Sequence, residues 1–447
     1  MKSFRALSLA VMFAFIASFA CAGGPQLIGN SVLGTEGDPL VWDPSFIPIL
    51  YVTDGGSLGA LNNAQANQRV QQAFDAWHNV STASISFANV GSITGVAGGD
   101  VRTAADFDQV ISDCQNSFET AVVYDTDGSL FMDLYSDPSV VGVTGVCDVS
   151  TDGYILSAVT ALNGAYADLG QIFDAAMTHE FGHLIGLDHS QIDCLNTCTS
   201  TDLQATPTMY PILLGTEQSV LAPDDIAWVS TLYPGPTFAT AYGHVSGSVL
   251  FSDGLTPVQG VNVVFRQVDN PSTASVDESR ANVFSVVSGY RFTGNPGQSY
   301  TANYLPCAAG SVCEGGYLDD NTSGAEFGSH NPIVIGAFDI YLPPGSYTLQ
   351  VQSIDPGFTG GSSVGPLSTP IPMPGPSEYW DNAESATDDV GASSVITVMA
   401  GGNLNGIDII LNGTLPRFDP LDDVDFGGGD ARFNVRGRTA LTTGGAK

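Results

Sequence analysis

A chain of 447 residues that is 43% hydrophobic and only 13% charged can bury substantial cores, which excludes a disordered acidic polymer. Its 12 Lys+Arg against 46 Asp+Glu give a formal net charge of −34, which would be repelled by phosphate backbones and excludes nucleic acid as a partner class. The length predicts about two or three domains.

Lys2 and Arg5 precede an apolar run over residues 6–20, and Ala20-Cys21-Ala22 follows with the small residues of a leader cleavage site. Residues 1–22 therefore read as a signal peptide, and the expected location is secreted or cell-surface. The run is short for a membrane span, and no other segment reads as one. Cys21 offers lipid attachment as a second reading, for which Ser18-Phe19 is a poor lead-in.

Residues 23–41 form an irregular lead-in. From Trp42 the pattern becomes α/β: residues 46–53 (FIPILYVT) predict a strand and Asp54-Gly55-Gly56 a turn. Val70, Ala73, Phe74 and Trp77 share one face of a helix expected over 61–78. Short strands are expected at 84–87 and 121–124, and a longer one at 154–162. Between them, Asp125-Thr126-Asp127-Gly128-Ser129 could give two carboxylates to a calcium ion or close a tight turn. A helix follows over 169–185, with Asp168 as its N-cap. Ile226, Val229 and Leu232 mark a further helix over 224–232, after which Tyr233-Pro234-Gly235-Pro236 ends a first domain spanning 42–235.

Beyond that point Gly, Ser, Val and Asn dominate and short alternating segments recur, so residues 238–413 predict an all-β sandwich. Residues 414–447 are Gly- and Asp-rich and read as a flexible tail. The fold class is α+β. Six cysteines remain after the leader, and an even count in an exported chain favours disulfides, expected as Cys114–Cys147, Cys194–Cys198 and Cys307–Cys313. Cys194 and Cys198 also admit a metal reading because they follow His189 closely, although no further ligands surround them.

The chemistry concentrates in residues 179–189, HEFGHLIGLDH, which hold three of the chain's six histidines. On a helix His179 and His183 stand one turn apart on one face, where both imidazoles can reach one zinc ion. Glu180, beside the first ligand, can take a proton from the attacking water without being a ligand. A continued helix would carry His189 about 240° around and about 9 Å along the axis from His183, away from the same ion. Gly186 tolerates positive φ and lets the helix stop and the chain turn back. The spacing thus predicts a three-histidine site with a free fourth position for water and substrate.

These residues resemble the metzincin zinc peptidases and, within them, the matrixins. HEFGHLIGLDHS at 179–190 matches at the ligands, the glycine and the following serine. Thr208-Met209-Tyr210-Pro211 looks like the methionine turn beneath the zinc site, and residues 221–226 with Leu232-Tyr233 resemble the closing helix. The resemblance covers about residues 42–235 and implies a twisted, mostly parallel sheet with an active-site helix. It further implies zinc on His179, His183 and His189, Glu180 as catalytic base, and Met209 as a structural support. Residues 154–162 would be the edge strand along which a peptide lies, and residues 211–214 would wall an apolar pocket. Calcium, which matrixins bind, has its candidate ligands here in Asp125 and Asp127. Matrixins are held latent by a propeptide cysteine, and residues 23–41 contain none.

Within 238–413, residues 244–249 with 260–263, then 342–347, then 396–398 through 407–408, resemble a carboxypeptidase-regulatory-like β-sandwich, with the Cys307/Cys313 loop in an insertion. The expected function is a secreted zinc endopeptidase acting on protein or peptide substrates. The alternative is a non-catalytic surface-binding or adhesion protein that uses the sandwich.

Overall fold

In the computed structural model the first unit is built on six strands: β1 (Val41–Trp42), β2 (Ile49–Thr53), β3 (Phe87–Ser92), β4 (Ala121–Asp125), β5 (Val140–Val149) and β6 (Tyr154–Asn163). The described residues are 24–26, 39–190 except 138 and 151, 192, 206–288 except 256, 259–260 and 273–277, 336–353 and 375–413. Short strands are also described at Ser311–Val312, Leu318–Asp320, Ala325–Glu326 and Arg432–Asn434. The expected signal peptide and the pairs Cys194–Cys198 and Cys307–Cys313 lie outside the described residues, as does residues 414–447 apart from that last strand. Among the described residues no helix is long and apolar enough to cross a membrane.

The sheet order is β5-β6-β4-β2-β3, with β1 pairing the start of β6. β3, β2, β4 and β6 run parallel, while β5 folds back antiparallel onto β6. A parallel sheet must be covered on both faces, and the strands alternate accordingly. In β4, Val122 and Tyr124 enter the core shared with helices α1 (Asn63–His78) and α4 (Gln171–Leu184). Ala121 and Val123 enter the opposite core, with Phe107, Val110, Ile111 and Cys114 of α2 (Ala104–Ser117) and Leu130 and Phe131 of α3 (Ser129–Tyr135). Cys114 and Cys147 form the expected disulfide, tying α2 to β5.

Several expectations need correction. The long strand over 154–162 is present as β6 but is not an edge: it lies between β4 and β5. Beyond β6 lies β5, whose far side pairs antiparallel with Arg432–Asn434 at the edge of the sheet. β5 carries no clear strand signal in sequence, because Gly142 and Gly145 interrupt its apolar run as turn residues would. Strand β3 spans Phe87–Ser92, downstream of the expected 84–87. Asp168 does not cap α4. It lies in the 3-10 turn Gly164–Leu169, and the cap is Gly170, whose φ of 60° turns the chain sharply into the helix. Arg69 from α1 holds this entry, donating to the carbonyls of Ala167 and Gly170 and to the Asp174 carboxylate at 2.7 Å.

The final helix of the unit, α5 (Pro223–Leu232), leads into the sandwich. One sandwich sheet pairs β7 (Gly243–Leu250) antiparallel with Ala337–Leu342, and parallel with Asn403–Leu404 and Ile409–Ile410. The other joins β8 (Asn262–Gln267), β9 (Val283–Val287), Gly345–Gln352, Glu378–Tyr379 and Ile396–Val398, all antiparallel. Strict alternation in Ala337–Leu342 and Gly345–Gln352 buries Phe338, Ile340, Leu342, Tyr347, Leu349 and Val351 between the sheets. The two units share one continuous core, in which Trp228 of α5 donates its indole N–H to the Ser285 carbonyl of β9 at 3.1 Å.

Candidate metal centre

Helix α4 is buried from Ile172 to Leu184 except at Asp174, so its buried polar side chains need partners from other elements. It ends where Gly186 takes a φ of +85°. The Gly186 N–H then donates to the His183 carbonyl at 2.9 Å and the Leu187 N–H to the Gly182 carbonyl at 2.9 Å, a Schellman closure. A Cβ on Gly186 would lie 1.9 Å from the Leu40 carbonyl oxygen. The last carbonyls of the helix are also used: Leu184 accepts from the Trp42 indole at 2.8 Å and Ile185 from the Tyr233 hydroxyl at 2.7 Å.

This reversal brings His189 back over the helix. The His183 Nε2 atom lies 3.0 Å from His179 Nε2 and 3.1 Å from His189 Nε2, and all three residues are buried. His179 Nδ1 lies 2.7 Å from the Thr208 carbonyl and His183 Nδ1 2.9 Å from the Leu187 carbonyl. A carbonyl can only accept, so these two imidazoles carry their protons on Nδ1 and direct bare Nε2 lone pairs at each other. Two such lone pairs at this distance repel unless a cation lies between them. Metal–nitrogen bonds of 2.0–2.1 Å in tetrahedral geometry place ligand nitrogens about 3.3 Å apart, close to what is found. Desolvation lowers the pKa of all three rings, His183 to about 4, so they stay neutral and available as ligands at neutral pH. Their ligand atoms lie within 4.8 Å of one another: the three histidines could hold a metal ion, and the donor set fits zinc among the imidazole-binding metals.

Glu180 is fully buried and packs against β5. Its backbone carbonyl accepts from the Thr144 hydroxyl at 3.0 Å, and a Cβ on Gly142 would come within 2.7 Å of its Cγ and 3.0 Å of its Oε1. Glycine at 142 is what leaves room for this carboxyl group, a role that the sequence alone did not disclose.

Met209 lies beneath α4, buried to 3% exposure, where a Cβ on Gly182 would strike its sulfur at 2.2 Å. Its turn is held by Asp225 of α5, whose carboxylate accepts from the N–H groups of Thr208 at 2.8 Å, Met209 at 3.0 Å and Ala222 at 2.8 Å. The Thr208 carbonyl is thereby aimed at His179. Gln218, also buried, accepts from the Leu214 N–H at 2.6 Å and donates to the Ile212 carbonyl at 3.1 Å, shaping the 211–214 wall. Neighbouring Asp224 accepts from the Ser190 hydroxyl at 2.6 Å. Burial pushes both acids up, Asp224 to about 7 and Asp225 to about 6. Neither Asp225 nor Gln218 was singled out by the sequence, because their partners are backbone groups brought near only by folding.

The calcium expectation fares differently. Asp125 Oδ1 accepts from the N–H groups of Asp127 and Gly128, and its Oδ2 from Phe131 at 2.9 Å, while Asp127 accepts from Ser129 at 3.1 Å. These carboxylates close the turn into α3, the other use open to them, and neither belongs to a metal-holding group among the described residues. The second such group is Asp381, Glu384 and Asp388 in the sandwich. There Glu384 accepts from the Asp381 and Ile410 N–H groups at 2.8 Å and Asp388 from Ser385 at 2.8 Å. The nearby Glu378-Tyr379-Trp380-Asp381 stretch is a packed corner, with Glu378 and Trp380 buried. No protein-family model matches the chain, and no curated protein matches it.

Proposed function

We propose that the chain is an exported zinc-dependent endopeptidase, similar to the matrixin group of metzincins, which hydrolyses peptide bonds in proteins. The observation that carries this reading is the convergence of three buried, neutral imidazoles on one point, with Glu180 next to the first of them on α4 and its buried carboxyl group against Gly142 of β5. Zinc held there would act as a Lewis acid towards the scissile carbonyl and bring the attacking water's pKa down towards neutrality.

The protein's own residues divide the remaining work. His179, His183 and His189 present lone pairs, and the carbonyls of Thr208 and Leu187 fix the first two rings in the tautomer this needs. Glu180 accepts the proton at its carboxylate and passes it to the leaving amine. β5 runs beside α4 and takes an extended segment, Arg432–Asn434, along its outer edge, which favours substrates bound as an added strand. Leu213 is buried, and Ile212 and Leu214 are half-buried in the adjacent wall, consistent with a preference for an apolar side chain after the scissile bond.

The test is casein hydrolysis by zinc-loaded protein. Glu180→Ala should lower the rate by at least about 100-fold, the contribution of a positioned general base, while metal content stays at the wild-type level. A Glu180→Ala protein that cleaves at the wild-type rate refutes the assignment. o-Phenanthroline should abolish cleavage. A chain that never cleaves, yet binds a surface through its sandwich, would be the adhesion protein instead.

A further inference from the structure

We propose that the β-sandwich is a working part of the metal centre: strand β9, acting through Asp224, positions Ser190 and with it the third ligand, His189. This rests on the metal reading above but not on peptidase activity.

The freedom that Gly186 gives the chain must be taken away again, because a ligand on a loose loop has to be ordered each time metal binds. The segment after His189 is held at two points. The Ser190 N–H donates to the Met209 carbonyl at 2.8 Å, and the Ser190 hydroxyl donates to Asp224 Oδ2 at 2.6 Å. Asp224 is itself anchored from the sandwich: its Oδ1 accepts the main-chain N–H of Ser285 at 2.9 Å. Ser285 sits mid-strand in β9, fully buried, and its carbonyl takes the Trp228 indole N–H one turn along α5. The Ser190 and Ser285 hydroxyls also lie 3.4 Å apart, although 95 residues separate them in sequence.

The result is a buried path from β9 backbone to carboxylate to hydroxyl to the residue following the ligand. Every group in it is at most 2% exposed, so water offers no substitute partner. The first two ligands share helix α4, which packs against α1, β5 and β6. The third lies outside that helix, and its neighbour is where the sandwich takes hold. Asp224 and Ser285 are therefore positioning residues.

The experiment measures zinc affinity and native-state hydrogen exchange on the full chain, comparing wild type with Ser190→Ala and Asp224→Asn. Ser190→Ala removes one hydroxyl, and Asp224→Asn leaves one acceptor for two donors. Each should weaken zinc binding about 10- to 100-fold, as loss of a group supporting a metal ligand does. By reciprocity, zinc should slow exchange of the Ser285 amide in wild type and do so less in Ser190→Ala. Cobalt substitution adds a readout of ligand geometry, with an altered visible spectrum expected in both variants. If Asp224→Asn fails to fold, Ser190→Ala decides. Variants that bind zinc as tightly as wild type, with exchange in β9 indifferent to metal, overturn this proposal alone. A wild-type chain that takes up no metal overturns the metal reading and this proposal together.

Discussion

Two glycines show how single residues divide the site. Gly186 carries the φ of +85° that ends α4, and its missing Cβ leaves space for the Leu40 carbonyl. Gly186→Ala should destabilise the fold by roughly 1–3 kcal/mol and release the metal, because His189 can no longer swing back. Thermal melts and metal analysis check this. Gly142 has no such backbone demand. Its role is the space in front of Glu180, so Gly142→Ala should keep metal content unchanged while kcat for a peptide substrate drops at least tenfold (about 1.4 kcal/mol of lost transition-state stabilisation). Metal loss in that variant, or an unchanged kcat, would contradict the role. The Gly186 requirement is visible in the spacing of the motif. The Gly142 requirement is not, because nothing in the sequence says that β5 passes in front of the helix.

At the scale of elements, the centre depends on α5 holding a turn it never touches in sequence. Asp225 serves three backbone donors at once. Asparagine has one acceptor oxygen and an amide group that would face those N–H groups, so Asp225→Asn should cost about 1–3 kcal/mol and loosen the Met209 turn. The Thr208 carbonyl would then lose its aim at His179, and zinc affinity should fall along with the melting temperature. A variant with wild-type melting and zinc binding would remove Asp225 from the scheme. The helical spacing that identifies α5 is plain in Ile226, Val229 and Leu232, whereas α2, with Phe107, Val110, Ile111 and Cys114 buried on one face, is not among the expected elements. What α5 holds in place cannot be read from its own periodicity.

Across the whole molecule, the sandwich is packed onto the first unit through a shared core rather than hung from it by a linker. The Pro-Gly punctuation after Tyr233 marks a change of architecture and not a gap in packing. Trp228→Ala should therefore cost about 3–5 kcal/mol, as truncating a buried aromatic does, and lower the melting of both units together in calorimetry. Separate endotherms with only one shifted would argue for independent units. The sandwich also carries a pH dependence of its own. Burial, reinforced by neighbouring carboxylates, pushes Glu378 and Glu384 up to about 7 from 4.5. As pH rises from 4.5 to about 7 the unfolded chain releases protons that the folded one retains, so folding loses stability over that window and the cost is complete above it. Glu378→Gln should accordingly raise the shared melting temperature at pH 8 by roughly 1–2 °C, the effect of about 1 kcal/mol when both units melt together, and leave it unchanged near pH 4.5.

The reading of residues 179–189 needed no structure: one turn of helix pairs His179 with His183, and the glycine permits the third imidazole to return, because both are consequences of local backbone geometry. The change from α/β to all-β texture near residue 235 was legible for the same reason, since periodicity is a property of neighbours in the chain. The tertiary structure alone decided that β6 is interior and that β5 lies between it and Arg432–Asn434, that Asp125 caps a turn, and that Asp224, Asp225, Ser285 and Gly142 pack around the segments carrying the three histidines and Glu180. Each of these depends on which distant segments pack together. That choice is made by the burial of the whole chain and leaves no periodic mark on any one stretch of it.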